Sequence, residues 1–264
     1  MANPLLNEAS FRQASGTGTL PPPDIATRVE GISSSATRTG VMTVNGAIQA
    51  TLGLLVLLLA GGVVGWRLVK VREGEITSFP SWTIFLVIIG AIAVMVTSRK
   101  PQLAKVVAPA YAVAEGLFVG AISHAYETWH SGIVLAAVGA TLGVFTVMLV
   151  LYRFRIIKVT NRFRSIVVSA TMGLMVFYVV SLILNAFGVN LSIISSASGL
   201  GIAFSVFAAG LAAFNLLLDF DLMERGAKAG APAYMNWFAA LGLLVTIVWL
   251  YLEMLRLLSK LQRR

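Results

Sequence analysis

Seven long apolar segments follow one another along this chain, separated by short polar connections. Each is close to the length of about 20 residues that a helix needs to cross the hydrocarbon core of a bilayer. None alternates with the period of two residues that is typical of transmembrane β-strands. The pattern therefore predicts an all-α integral membrane protein, a seven-transmembrane-helix bundle. The predicted spans are Thr43–Trp66, Trp82–Ser98, Val106–Tyr126, Gly132–Tyr152, Ile166–Phe187, Ser198–Leu218 and Tyr234–Leu258.

The first forty residues differ from the rest of the chain. They are rich in Ser, Thr, Ala, Gly and Pro and include a run of three prolines at 21–23. Such a segment cannot bury a hydrophobic core, so residues 1–40 are predicted to be a disordered tail and residues 41–264 to be the membrane domain. The first apolar span also begins too late to serve as a cleavable signal peptide.

Composition supports this division and excludes several function classes. Hydrophobic residues make up 58% of the chain and charged residues only 12%, against about 25% in a soluble domain. The net charge of +9 comes from basic residues between the spans, so no basic domain is present for nucleic acid. The chain has no cysteine and carries no GxSxG, HExxH or phosphate-binding glycine motif. We therefore expect neither an enzyme nor a cofactor.

The distribution of Lys and Arg predicts the orientation. The N-terminal tail and the second, fourth and sixth connections carry 13 of these 20 residues, which places the N-terminus in the cytoplasm. The basic C-terminal end does not fit, because a seventh crossing puts it outside. If the last segment instead dipped into the membrane and returned, the split would be 17 to 3. Charge alone leaves the side of the C-terminus open.

Small residues recur at the spacing that lets transmembrane helices approach closely. Glycines four positions apart form three GxxxG motifs, and packing is their ordinary role. The pairs are Gly61 with Gly65, Gly116 with Gly120, and Gly139 with Gly143.

Three acidic residues lie within or at the ends of the apolar spans: Glu115, Asp219 and Glu253. A charged side chain at the bilayer centre costs about 2.5–3.5 kcal/mol on insertion scales, so such residues are rare and usually face a bundle interior. Each has a plain structural interpretation. In that interpretation Glu115 is a protonated, hydrogen-bonded structural acid, and Asp219 closes its helix in water. Glu253 then forms a local pair with Arg256 three residues later.

Two further groups of polar residues are weaker candidates. Asp221 follows Asp219 by two positions, so it faces another side of the helix. His124, Glu127 and His130 cluster around the end of the third span and carry metal-ligand chemistry, but their spacing is loose, and a solvated loop is favoured.

The order of these residues resembles that of the Bax inhibitor-1 family, in its bacterial branch. The likeness extends from about Thr43 to the C-terminus. Its strongest parts are EGLFVG at 115–120, LLDFD at 217–221 and WLYLE at 249–253, with Gly230-Ala-Pro232 typical of a bacterial subgroup. The resemblance implies a seven-helix bundle with the last helix central, in the plasma (inner) membrane of a bacterium.

The resemblance also implies a function, a pH-sensitive calcium leak channel. Its sensor would be two acids that share one proton, here Asp219 and Glu253, with the basic residue Arg99, or its neighbour Lys100, as a rival partner of Asp219. Two close carboxylates cannot both ionise cheaply, which is why such a pair titrates as a unit. The expected partners are protons, lipid and calcium ions, which carboxylate oxygens would hold only transiently near the two acids, without a stable metal site.

The spacing between the two acids restricts this hypothesis. A last helix beginning at Tyr234 would place Glu253 about 28 Å along its length, far from Asp219. The acids meet only if the connecting hairpin projects from the membrane with its apex near Asn236. Gly226, Gly230 and Pro232 are the positions that would break the helices there.

Two alternative functions stay open. One is a regulatory protein that acts on a membrane protease or another membrane partner, with the N-terminal tail as its contact. The other is a proton-coupled transporter that uses Glu115.

Overall fold

The computed structural model describes residues 40–72, 75–80, 82–188 and 196–263. The predicted tail therefore lies outside the described residues, apart from Gly40. The described chain contains a short antiparallel hairpin, a 3-10 turn at Pro101–Leu103 and seven long helices. In order these are α1 (Val44–Leu68), β1 (Lys70–Arg72), β2 (Glu75–Ser78), α2 (Thr83–Arg99), α3 (Ala104–Trp129), α4 (Ile133–Arg153), α5 (Asn161–Ala186), α6 (Gly199–Lys228) and α7 (Met235–Gln262).

Each predicted apolar segment overlaps one of these helices, and several helices extend beyond the predicted ends. Among the described residues, six helices are long and apolar enough to cross a membrane, and α2 is a shorter apolar helix. The 17 residues of α2 span about 25 Å, a little less than the hydrocarbon core of about 30 Å. The prediction of an all-α membrane protein is confirmed.

Polar side chains mark where several helices begin. Thr43, Thr160 and Ser198 each accept a hydrogen bond from the backbone N–H three residues later, at 2.9, 3.1 and 3.2 Å. These N-caps satisfy donors that a first turn leaves without partners. At the other end of a helix, Pro101 directly follows the Arg99–Lys100 end of α2, where an extended residue before a proline is favoured. The polar connections thus set the helix limits.

The connection between α6 and α7 differs most from expectation. Asp219 does not close its helix, because α6 continues for nine more residues to Lys228. The turn that follows contains Gly230 in a left-handed conformation, with φ of +65°, and Pro232. Both residues break the helix as the sequence indicates. The turn nevertheless falls at 229–234, before the predicted apex at Asn236, and Asn236 instead accepts a hydrogen bond from Thr43 N at 3.1 Å.

The last helix packs against four others, α1, α3, α4 and α6, while α2 packs on α3 and α5 packs on α6. Its buried face includes Ala240, Leu244, Leu250 and Leu255, none of which has any exposed surface. It is one uninterrupted helix of 28 residues. The described part of the chain therefore has no break where the last segment would dip and return.

The tightest helix contact lies between α1 and α3, and glycines make it possible. Gly61 lies against the backbone of Val113, Gly65 against that of Leu117, and Gly120 against that of Gly62. No side chain fits between backbones at this separation. The first two GxxxG motifs therefore pack as predicted.

The third GxxxG motif does not. Gly139 and Gly143 of α4 are exposed, and a Cβ at either position would meet no described atom within 4 Å. They lie on an outward face with Leu135 and Leu142, which are 78% and 60% exposed. The spacing of small residues identifies a possible contact face but not whether the fold uses it.

The hairpin between α1 and α2 was not predicted. Val71 pairs with Ile76 and Arg72 with Glu75 in antiparallel register. The sequence signal was a pair of short polar segments with β-branched residues on both sides of Gly74.

Candidate functional site

Asp219 lies between the last two helices and faces Gly242 and Thr246 of α7. A Cβ at Gly242 would lie 3.6 Å from its Oδ1 atom. Its Oδ2 atom is buried and has no hydrogen-bond partner among the described residues, and it is the only buried side-chain oxygen or nitrogen there of which this is true. A buried carboxylate oxygen without a partner is costly, so such a group is often functional.

The structure does not bring Asp219 and Glu253 together. Glu253 lies eleven residues beyond Gly242 on α7, about 16 Å along the helix axis. The physical reason is the position of the turn. Because the turn begins at Ala229, antiparallel pairing places Asp219 opposite Gly242–Thr246 and leaves Glu253 nearer the other end of the bundle.

Glu253 is held in a cluster of its own. It is 1% exposed, and Arg256 Nη1 lies 2.8 and 2.9 Å from its two carboxylate oxygens. Tyr178 Oη on α5 and Trp249 Nε1 also donate to Oε1, at 2.8 and 3.2 Å. Arg256 contacts the same tyrosine, since its Nη1 donates to Tyr178 Oη at 2.8 Å and its guanidinium lies 5.2 Å from the ring centre. The local ion pair that the sequence offered for Glu253 is the one observed.

A buried cation, Lys260, continues this polar face of α7. Lys260 is 3% exposed and donates to Gly201 O and Ser205 Oγ of α6, both at 2.8 Å. Glu253, Arg256 and Lys260 recur at intervals of three and four residues, so they share one helix face. The last two helices are therefore joined by charged groups near the C-terminal end of α7.

Asp221 forms a different cluster at the opposite end of the same helix pair. It is 8% exposed, and its Oδ2 atom accepts from Arg164 at the start of α5, at 2.7 Å, and from Arg225 one turn later. Beside it, Glu224 accepts from Tyr152 of α4 and pairs with Lys228. These contacts join the ends of α4, α5 and α6. Asp221 contacts α5 whereas Asp219 lies against α7, so the two acids face different sides of α6 as predicted.

Arg99 and Lys100 do not take part. Both are exposed at the end of α2, and neither forms an ion pair with a described residue. The acid that binds a cation near this end of α6 is Asp221 rather than Asp219, and its cation from another helix is Arg164. The sequence indicated a basic partner from a neighbouring helix end but placed it on the wrong helix.

Glu115 is 6% exposed at the interface of α2 and α3. A Cβ at Gly90 of α2 would lie 3.6 Å from Glu115 Oε2 and 3.0 Å from the ring of Tyr111. Glu115 therefore belongs to a separate site, away from the acids of the last two helices.

His124, Glu127 and His130, around the end of the third span, do not come together as a group of metal ligands. His124 stacks on Trp66 with ring centres 4.5 Å apart, and its Nδ1 lies 2.8 Å from the Trp66 carbonyl oxygen. Glu127 caps α4, because Gly132 N and Val134 N donate to its oxygens at 2.5 and 3.0 Å. No group of three His, Asp or Glu side chains that would hold a metal ion occurs within the described ranges. The solvated-loop interpretation was also wrong, since α3 continues through this segment to Trp129.

Sequence reasoning missed Tyr178, Arg164 and Lys260. Arg164 and Lys260 were treated only as charges that set orientation, and Tyr178 lies in an apolar segment with no neighbouring polar signal. Each contacts an acid or a carbonyl group more than fifty residues away. Only the packing of the helices could reveal those partners.

A bundle of long apolar helices with acids buried between them defines an integral membrane protein. The sequence model of the family described as Bax inhibitor 1 like matches residues 3–263, so this chain belongs to that family. The predicted resemblance is confirmed at this level. No curated protein matches the chain.

Proposed function

We propose that this protein is a pH-sensitive leak pathway for cations, calcium in particular, and that Asp219 is its proton-sensitive group. One observation carries the proposal, the buried Asp219 Oδ2 atom that has no hydrogen-bond partner among the described residues. Such a carboxyl group avoids a large desolvation cost when it is protonated, and when ionised it attracts a cation. Its protonation state therefore changes both the local charge and the packing of α6 on α7.

The observed contacts favour a single acid over a shared pair. Glu253 already has a guanidinium and two further donors, so it is an anchor for α5 and α7. Asp221 is likewise neutralised by Arg164 and Arg225. Asp219 lies between these two ion-paired clusters along α6 and α7, where an ionised carboxylate would be the next site for a passing cation.

Calcium flux into proteoliposomes tests this proposal. The purified protein is reconstituted in vesicles of neutral lipid that enclose a calcium dye, and the initial flux is measured over a series of pH values. Asp219→Asn should abolish the pH dependence, because the amide cannot change charge. Glu253→Gln should alter the absolute flux yet keep the pH dependence, since Glu253 is held by Arg256.

Two controls sharpen the flux experiment. Glu75→Gln removes one acid from the exposed β2 strand and should leave the profile unchanged. Glu115→Gln should also retain it, whereas a proton-coupled transporter that uses Glu115 would lose activity. If Asp219→Asn titrates like the unaltered protein, Asp219 is not the sensor.

We further propose that α1 to α7 all cross the inner membrane of a bacterium, with the N-terminus in the cytoplasm and the C-terminus outside. The short α2 is compatible with a crossing, because a bilayer commonly thins around a short span or polar flanking residues reach its surface. The uninterrupted α7 supports a full last crossing despite its basic end.

Cysteine labelling should verify this topology, and the absence of native cysteine makes it simple. In spheroplasts, a membrane-impermeant maleimide should label Arg72→Cys and Arg263→Cys, which lie on the predicted outer side. Lys158→Cys should react only after the membrane is permeabilised. Labelling of Lys158→Cys in intact spheroplasts would show that the orientation is the reverse of the proposed one. Protection of Arg263→Cys alone would show that the last segment does not cross the membrane.

A further inference from the structure

A groove of about 990 Å³ opens between α1, α4, α6 and α7, beside the Asp221 cluster. Its walls are apolar and come from outward-facing residues of two helices. Ile48 and Leu52 of α1 are 45% and 57% exposed, and Leu142 and Leu149 of α4 are 60% and 42% exposed. The volume lies at the upper end of the range of about 300–1,000 Å³ for ligand pockets.

One end of the groove is strongly basic. Arg153 at the end of α4 lines it with Arg155 and Lys158 of the α4–α5 connection, together with Arg225 and Lys228 of α6. The two acids that line the groove, Asp221 and Glu224, already accept from Arg225 and Lys228. Arg153 and Lys158 are exposed and form no ion pair within the described part of the chain. A positive charge is thus left at the mouth of an apolar cavity.

The connection between α4 and α5 has an unusual backbone conformation at one of these cations. Arg155 has φ of +56°, the only positive φ of a non-glycine residue among those described. Such a conformation is uncommon for a long side chain and persists only when the surroundings maintain it. Its neighbours Phe154 and Ile156 are 73% and 66% exposed. Basic and large apolar side chains therefore alternate at this end of the bundle, as they do at a membrane interface.

We propose that this groove binds one phospholipid with an anionic head group, taken from the surrounding bilayer. The head group lies against Arg153, Arg155 and Lys158, and an acyl chain lies along the apolar wall formed by Ile48, Leu52 and Leu142. The charge at the mouth selects an anionic lipid over a zwitterionic one, because each cation near a membrane surface favours acidic lipid by about 1 kcal/mol. The sequence predicts this end to be cytoplasmic, where anionic lipid attracts basic segments.

This binding site is independent of the proposed leak pathway. The groove is lined by Asp221 and not by Asp219, and the lipid contacts involve neither Asp219 nor Glu253. A lipid there would contact the helix ends that Asp221 and Arg164 join, and would contribute to their packing.

Native mass spectrometry of the full-length protein in a neutral detergent tests the site. The protein is mixed with phosphatidylglycerol or phosphatidylcholine at equal concentration. The number of lipids that stay bound to each chain is then measured as the collision energy is raised. We expect one retained phosphatidylglycerol per chain and a preference of about tenfold or more over phosphatidylcholine. The double variant Arg153→Ala/Lys158→Ala should lose most of this preference, because it removes two of the three cations against which the head group lies.

Three comparisons make the result decisive. Lys70→Ala/Arg72→Ala removes the same charge from the β1 strand and should retain the preference. Ile48→Trp fills the apolar wall and should reduce lipid retention although every cation is present. Glycerophosphoglycerol, the head group without acyl chains, should not compete. Equal retention of the two lipids, an equal loss in the Lys70/Arg72 control, or competition by the soluble head group would each overturn the proposal.

Discussion

Replacing Gly120 with alanine should lower the free energy of unfolding by about 1–3 kcal/mol or more. A Cβ at Gly120 would lie 2.6 and 2.7 Å from the backbone carbon atoms of Gly62, and it would also overlap the carbonyl oxygen of that residue. Backbone atoms cannot rotate away as a side chain can, so α1 and α3 must separate. Every van der Waals contact along their interface then weakens.

The loss is measured by titrating SDS into the protein in mixed micelles and following the tryptophan fluorescence. Gly139→Ala is the matched control, since it makes the same change in a helix where no described atom lies within 4 Å of the new methyl group. Alanine is favoured over glycine within a helix by up to about 1 kcal/mol, so this control should be neutral or slightly stabilising. Equal stability of the two variants would mean that α1 and α3 are not in close contact.

These glycines also show how far the sequence determines the fold. The lengths of the apolar segments predicted the seven long helices of the described chain, because the thickness of a bilayer sets the length of each spanning segment separately. The GxxxG spacing at Gly116 and Gly120 predicted a contact that exists, while the identical spacing at Gly139 and Gly143 predicted one that the structure does not contain. The spacing of glycines along one helix is a local property of the sequence. Which other helix lies against those glycines depends on the whole fold.

In the candidate site, too, the sequence predicted the local feature but not its partner. The sequence identified the buried acids correctly, since an acid in an apolar segment is recognisable from its insertion cost. It could not fix which groups meet, because that depends on where one turn lies. With the turn at 229–234 and not centred on Asn236, the position opposite Asp219 moves by about ten residues along α7, or about 15 Å. A difference of a few residues in the turn thus replaces one partner with another.

The second large effect is expected when Arg256 is replaced by methionine. The substitution keeps an unbranched side chain and good helix propensity, but it leaves the carboxylate of Glu253 buried without its cation. Removal of one partner from a buried ion pair costs about 3–5 kcal/mol, because the remaining charge is desolvated and uncompensated. The same SDS titration should record a loss of that size.

Arg225→Met provides the comparison for a pair in which the arginine is exposed and the acid has a second cation. Arg225 is 45% exposed, and its partner Asp221 retains Arg164, so the loss should stay within the range of about 0–1 kcal/mol that surface pairs show. The contrast separates the cost of leaving a buried carboxylate without any cation from the cost of removing an arginine.

A thermodynamic cycle then decides which group is the partner of Glu253. If Arg256 is the partner, Glu253→Gln in the Arg256→Met background should recover much of the lost stability, because no uncompensated charge is left. Asp219→Asn in that background should recover none, since Asp219 faces Gly242 and not Glu253. Recovery by Asp219→Asn would instead show that the two acids interact and restore a shared proton as the sensor. The same variants therefore link the energetics of the bundle to the identity of the group that responds to pH.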